Sequence, residues 1–593
     1  MDESLIPKPF TNHHNYYQSS PSLVYTYQHV FSSSKKSLGF ISAIKDRSHI
    51  LHTTHTPKFL NLNTFTGLWP ASNYGEDVIV GVIDSGVWPE SESFKDTGMP
   101  PKVPKKLKGT CEVGQNFNSS MCNAKLIGVR SARDTRGHGT RTSSIIAGNY
   151  VNNSHYFGYA SGIANGVSPR ARLAIYKVSR DEGSYGSDAL AAMDQAVADG
   201  VDIISISMSS RANEVPLHRD FLAKASFSAL EKGVLVSTSA GNKGSLGNEI
   251  IRNGYPWEMV LKNLPLVCDK WLLACDKVLS NILNGIIICH GDRPLAYQIE
   301  RIARSYSYVL GAIFITYNPI SSEIEFMKET PCPRMVITSS DGVALMEYSE
   351  STQMPSATMT FFQTITGIKP APSVVANALR GPSRFPGILK PDVMAPGALV
   401  LAAWPSNIKV ATDQKQIALH SDYTILSGTS IACPHAAGVA ALLKRAHPDW
   451  TVGAGQIHPN QALDPGLIYD ATHKTVNFLC SMNLEENKIL SITRSKKYDC
   501  SKSSSDFNYP SFVVLNCHNR TSIGQNFQRI VTHVGEGATT YKGNVTLPEG
   551  STYEKQSYTV SIRSEENNNG EVSFGALTWV EENGNHTVRS PIN

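Results

Sequence analysis

Short apolar runs alternate with helix-period segments through the first half of the chain. Val78-Ile79-Val80-Gly81-Val82-Ile83 carries no polar side chain at either parity and stops at Asp84. A run of that length and composition predicts a parallel strand covered on both faces. Residues 143–148 read as part of a small-residue helix and 173–178 as a second strand. Residues 188–198 read as a helix with Leu190, Met193, Ala196 and Val197 on one face. A strand over 201–208, a helix over 221–230 and a strand over 234–236 follow. Such alternation predicts β-α units, hence an α/β fold with a doubly wound parallel sheet. In open sheets of this kind chemistry collects at the carboxyl ends of the strands.

From about 261 to 362 the alternation changes character. Two further apolar strands, over 285–289 and 309–315, sit in what reads as an inserted module. An Ala- and Leu-rich helix returns over 436–443. Beyond about residue 506 short alternating stretches over 511–515, 558–562 and 576–580 are punctuated by Gly and Asn. That profile predicts a small antiparallel β domain.

The 593 residues are too many for one core at roughly 100–200 residues per domain. Only 18% of them are charged, which argues against a largely disordered chain. Lys and Arg number 54 against 50 Asp and Glu, a net charge of +4 with no basic block, so nucleic acid is not an expected partner. No apolar run reaches the length of a membrane-spanning helix, so no membrane partner is expected either. The N-terminus is acidic and polar and lacks the pattern of a secretory signal. Asn-x-Ser/Thr sequons at Asn118, Asn152, Asn519, Asn544 and Asn585 nonetheless fit a secreted glycoprotein. The ten cysteines form no paired C-x-x-C knuckles, so neither a structural zinc nor any other metal or cofactor is expected. Disulfides fit the same cysteines, with their connectivity left open. Cys433, three residues after Ser430 on one helix, reads as a buried free thiol.

Three segments carry chemistry. Asp84 ends an apolar strand in Ile83-Asp84-Ser85-Gly86. His138 lies between two glycines in Arg136-Gly137-His138-Gly139-Thr140. Ser430 enters a helix in Ser427-Gly428-Thr429-Ser430-Ile431-Ala432-Cys433-Pro434-His435. A serine hydroxyl is a weak nucleophile until an imidazole takes its proton, and the imidazole needs a carboxylate to fix its tautomer. Glycines beside the histidine let backbone and substrate approach closely. A helix starting at the serine aims its positive end at developing negative charge. Each segment alone is an ordinary cap or turn; the order Asp, His, Ser makes the set specific.

With these motifs the chain resembles the subtilisin-like serine proteases, most closely the plant subtilases. The resemblance implies a secreted, extracellular endopeptidase with Asp84, His138 and Ser430 as triad and Asn242, in Ser239-Ala240-Gly241-Asn242, as the oxyanion donor. It implies that Ser205, Ser207, Met208 and Ser209 belong to the strand that pairs with an extended peptide or protein substrate. It divides the chain into a truncated inhibitor-type prodomain over 1–52, which would act as an intramolecular inhibitor, and a peptidase domain over 53–480. A protease-associated domain would be inserted over 261–362, and a fibronectin-III-like β-sandwich would occupy 500–593.

Several positions depart from the family pattern. Arg141 stands where a histidine is usual, Ser209 where a glycine is expected, and Ile431 where a methionine is. The chain passes quickly from Trp257 to Leu264 and from Val452 to Gly453 where the family has further sheet and helix. A second reading therefore stays open: a non-catalytic or incomplete relative that keeps the shell as a binding glycoprotein, a decaying copy, or a mispredicted gene product.

Overall fold

The computed structural model describes residues 56–593 except 115, 131–132, 209–214, 243–259, 268–283, 291–297, 299–308, 317–332, 362–371, 376–377, 382–387, 413–416, 448–454, 470–478, 483, 495–498, 502–507, 515–522, 536–538, 547–550, 557–558, 565–573, 583 and 585. The chain divides into two compact units. One holds Ile251–Gly367 and Thr412–Ile417; the other holds Leu51–Ile250, Ile368–Ala411 and Ala418–Asn593.

The larger unit is built on β1 (Ile79–Asp84), β2 (Leu126–Arg130), α1 (His138–Ala147), β3 (Arg172–Lys177), α2 (Gly186–Asp199), β4 (Ile203–Ile206), α3 (Phe221–Glu231) and β5 (Leu235–Thr238). The five strands form one sheet in the order β2-β3-β1-β4-β5, every neighbouring pair parallel. The sheet is doubly wound, as the alternation predicts. β1 lies at its centre because the chain leaves it to one side for β2 and β3 and to the other for β4 and β5.

The period of two along β1 decides what lies above and below it. Val80 and Val82 join a core with Ile146 of α1 and with Ala437, Ala440 and Ala441. Those three alanines belong to α4 (Thr429–Ala446). Ile79 and Ile83 join the opposite core with Met193 and Ala196 of α2 and Ala225 and Ala229 of α3. Both faces are thus dry, and no residue of β1 is solvent-facing. Asp84 shares parity with Val80 and Val82, so its carboxylate emerges on the α1 side.

The strand expected over 201–208 is shorter, because Ser207 and Met208 have already left the sheet. β5 is only half-buried and forms the sheet edge among the described residues.

In the smaller unit β6 (Val260–Val267), β7 (Gly285–Cys289), β8 (Val309–Thr316), β9 (Arg334–Thr338) and β10 (Ser356–Thr360) build a second sheet, order β9-β8-β7-β6-β10, with a helix over Ser339–Ser351 between the last two in sequence. Its last pair is antiparallel and the rest parallel. The C-terminal region of the larger unit carries two three-stranded antiparallel sheets. Ile523–Gln528, Ser551–Gln556 and Thr559–Ser564 form one; Tyr541–Thr546, Gly575–Glu581 and Thr587–Ile592 form the other. Phe512, Phe527, Ile562, Leu577 and Ile592 fill the core of this region. The strand expected over 511–515 is reduced to a single bridge between Phe512 and Ile592.

Disulfides join Cys111 to Cys122 and Cys480 to Cys500. Among the described residues no helix is long and apolar enough to cross a membrane, and no group of His, Cys, Asp and Glu could hold a metal ion.

Candidate active site

The helix α4 spans Thr429–Ala446 and lies on the same side of the sheet as α1. Three of the predicted residues therefore arrive from three elements: Asp84 at the carboxyl end of β1, His138 at the first position of α1, and Ser430 in the first turn of α4.

Asp84 is 2% exposed. His138 Nδ1 lies 2.7 Å from its Oδ1 and 2.9 Å from its Oδ2. The Ser85 N–H donates to Oδ1 at 2.7 Å, and Thr142 Oγ1 donates to Oδ2 at 3.2 Å. Burial pushes the Asp84 carboxyl up, but His138, the Ser85 N–H and the Arg141 guanidinium together outweigh it and hold it below its ordinary value. The carboxylate is thus ionised and can only accept, which assigns the proton on neutral His138 to Nδ1 and leaves Nε2 with its lone pair.

Close approach explains both glycines around His138. Gly137 has a φ of 79°, and a Cβ there would strike the Trp404 ring. A Cβ on Gly139 would collide with the Gly86 carbonyl, so only glycine lets α1 rest on the turn after β1.

At Ser430 the structure differs from a closed triad. Its hydroxyl donates to the Ser207 carbonyl at 3.4 Å, and among the described residues no hydrogen bond joins it to His138. The reverse contact has a clear cause. Pro434 lies inside α4 and has no N–H to offer the Ser430 carbonyl four residues back. Ser207 Oγ donates to that carbonyl instead, at 3.2 Å. Two bonds in opposite senses therefore tie Ser430 to the end of β4.

Asn242 faces the same helix start. Its Oδ1 accepts from Thr429 N at 2.8 Å and from Thr429 Oγ1 at 2.9 Å, which leaves the Nδ2 donors to point elsewhere. Asn242 itself is exposed. Ser430 N is in the first turn of α4, where no intrahelical acceptor exists. Those donors and the helix dipole suit an anion beside Ser430.

The substrate-strand residues fare differently. Ser205 is 2% exposed and lies inside the sheet, paired through β4 with Val82 on one side and Ser237 on the other. Its hydroxyl faces Cys433 Sγ at 3.7 Å, so it touches no substrate. Ser207 is buried against Ser430, and Met208 packs against the core on the α2 side. The expected edge-strand pairing thus excludes Ser205, whose strand has no free edge. Ser209 lies outside the described residues. Cys433 is a buried free thiol as expected, its pKa raised by burial.

Sequence reasoning passed over Asp134, Ser85 and Thr142, all three buried around the Asp84–His138 pair. The signal for Asp134 was an acidic residue just ahead of a helix start.

A family profile described as "Subtilase family" matches residues 75–274 and 319–462. This chain belongs to the subtilase family. Its members are serine endopeptidases, and a fibronectin type-III profile matches residues 506–593. Subtilisin-like protease SBT3 of Solanum lycopersicum is 41% identical, over 100% of this chain and 95% of the relative. Subtilisin-like proteases SBT1.9 and SBT1.7 of Arabidopsis thaliana are 35% and 34% identical, covering 98% and 100% of this chain and 94% and 95% of their own lengths. The alignment with the Solanum protein runs over 732 positions and covers all 593 residues, so 732 − 593 = 139 positions at least are gaps internal to this subtilase.

Proposed function

We propose that this subtilase is a secreted serine endopeptidase that cleaves peptide bonds through Asp84, His138 and Ser430. The observation that carries the reading is the pairing of buried Asp84 with half-buried His138, with both carboxylate oxygens within 2.9 Å of Nδ1. Ser430 Oγ attacks the substrate carbonyl carbon and gives its proton to His138 Nε2. The tetrahedral oxyanion is held by Asn242 Nδ2 and Ser430 N. His138 then returns the proton to the leaving amine, the acyl-enzyme forms, and water repeats the sequence to release the acid. For this the Ser430 hydroxyl must leave the Ser207 carbonyl and turn to His138, a tightening that catalytic hydrogen bonds commonly undergo when substrate binds.

Secretion is supported by the disulfides Cys111–Cys122 and Cys480–Cys500, which need an oxidising compartment. It is supported too by the exposure of sequon residues Asn118, Asn152 and Asn544; Asn519 and Asn585 lie outside the described residues. Within the proposal, residues 1–52 act as an inhibitory prodomain, although they too lie outside the described residues. The peptidase domain takes 53–480. The unit around 261–362 is the inserted protease-associated domain and 500–593 the fibronectin-III-like domain.

A second reading, a non-catalytic subtilase, is favoured by two observations: the Ser430 hydroxyl engaged away from His138, and the internal gaps. Fluorophosphonate labelling decides. The chain is expressed through a secretory pathway beside Ser430→Ala. Labelling that vanishes in the variant is the expected result. A soluble, cooperatively folded chain that does not label establishes the second reading.

A further inference from the structure

Asp134 is fully buried and lies four residues ahead of His138. Its Oδ1 accepts from Ser85 Oγ at 2.9 Å, Arg136 N at 2.9 Å and Gly137 N at 2.8 Å; its Oδ2 accepts from Thr140 N at 2.9 Å and Thr140 Oγ1 at 2.6 Å. Its own N–H is tied to the Val87 carbonyl at 3.0 Å. The N-cap residue of α1 is Gly137, which has no side chain to offer, so Asp134 satisfies the free N–H groups of that first turn from outside.

Ser85 links this cap to the other half of the pair. Its hydroxyl donates to Asp134 and accepts from Gly139 N at 2.8 Å, while its N–H donates to Asp84. A continuous chain of hydrogen bonds thus runs from Asp134 through Ser85 to Asp84, and a second runs from Asp134 to the backbone on both sides of His138. The Arg141 guanidinium attracts both Asp84 and Asp134, and the Lys177 ammonium attracts Asp134.

We infer that Asp134 is a positioning residue for the catalytic pair: by gripping both the end of β1 and the start of α1, it sets the Asp84–His138 geometry. The inference rests on the proposed triad. In Asp134→Asn an amide donor would turn toward donors on one side, loosening one of the two grips.

The test uses the full chain and a fluorophosphonate, whose inactivation kinetics separate binding (KI) from the chemical step (kinact). Asp134→Asn is expected to lower kinact roughly tenfold or more with KI within about twofold, since small misplacements of a catalytic group are costly. Ser85→Ala, which cuts the link but keeps the cap, is expected to lower kinact by roughly three- to tenfold. Asp202→Asn is the control. Asp202 accepts from Ile79 N at 2.8 Å at the opposite end of β1, so its loss lowers Tm while kinact stays within about twofold. If Asp134→Asn does not accumulate, Ser85→Ala decides alone. Folded variants with wild-type kinact, or a kinact loss matched by Asp202→Asn at equal loss of Tm, overturn the inference. Labelling absent from the wild type, or persisting in Ser430→Ala, instead removes the proposed triad and the inference with it.

Discussion

Acid should weaken the helix that carries Ser430 through His435, one and a half turns further along α4. His435 is completely buried. Its Nδ1 lies 2.8 Å from the Ile431 carbonyl, and its Nε2 has no partner among the described residues. Burial lowers its pKa from 6.5 to about 4, against a smaller opposing pull from the Ile431 carbonyl. Between those two values the unfolded chain binds a proton that the folded chain does not, so stability rises with pH across that window. Moving from pH 6.5 to pH 4 at about 1.36 kcal/mol per pH unit therefore removes about 3 kcal/mol. Below pH 4 the loss is complete. Glutamine in place of His435 keeps a donor for the Ile431 carbonyl and has no charge to gain. The measurement is the melting temperature between pH 4 and pH 7 of Ser430→Ala, which prevents autolysis, with and without His435→Gln. At roughly 2–4 °C per kcal/mol, the protein that keeps His435 should lose about 6–12 °C more than the His435→Gln protein over that range. Equal losses would refute the reasoning, because they would mean that His435 gains its proton as easily folded as unfolded.

Other outcomes follow from the same geometry. Asp84→Asn should present an amide N–H to His138 Nδ1, force the proton onto Nε2, and cut kcat by about 10⁴ with little change in Tm, the loss known for the equivalent change in another serine protease. Ser207→Ala should leave the Ser430 carbonyl without a donor at a cost of about 1–3 kcal/mol, read as a lower denaturation midpoint together with slower fluorophosphonate labelling. Gly139→Ala should prevent α1 from seating on the Gly86 turn, giving unlabelled and poorly soluble protein in an expression and labelling assay. Lys125 is buried with its ammonium on the Pro169 and Ala171 carbonyls, and burial, then Arg172, lowers its pKa to about 7. Because the unfolded chain keeps that proton up to about 10.5, stability should rise from pH 7 to pH 9 in the wild type and stay flat in Lys125→Met, measured by denaturant unfolding.

The chain alone determined a great deal here, for a local reason. An all-apolar run ended by a carboxylate, a histidine between glycines, and a serine at a helix start are each written in a few adjacent residues. So are the strand and helix periods that define the parallel sheet. Parity along β1 even fixes which face Asp84 shares with Val80 and Val82. Tertiary structure decided what needs distant partners. No spacing shows that Ser205 is enclosed between two strands, since that depends on β5 pairing beyond β4. None shows that Ser207 replaces the hydrogen bond Pro434 cannot make, because the two lie on separate elements more than two hundred residues apart. Nor does the sequence reveal that Asp134 collects five donors from both sides of the site. A buried carboxylate is stable only where the fold brings donors to it, and those donors are assembled by packing α1 against β1.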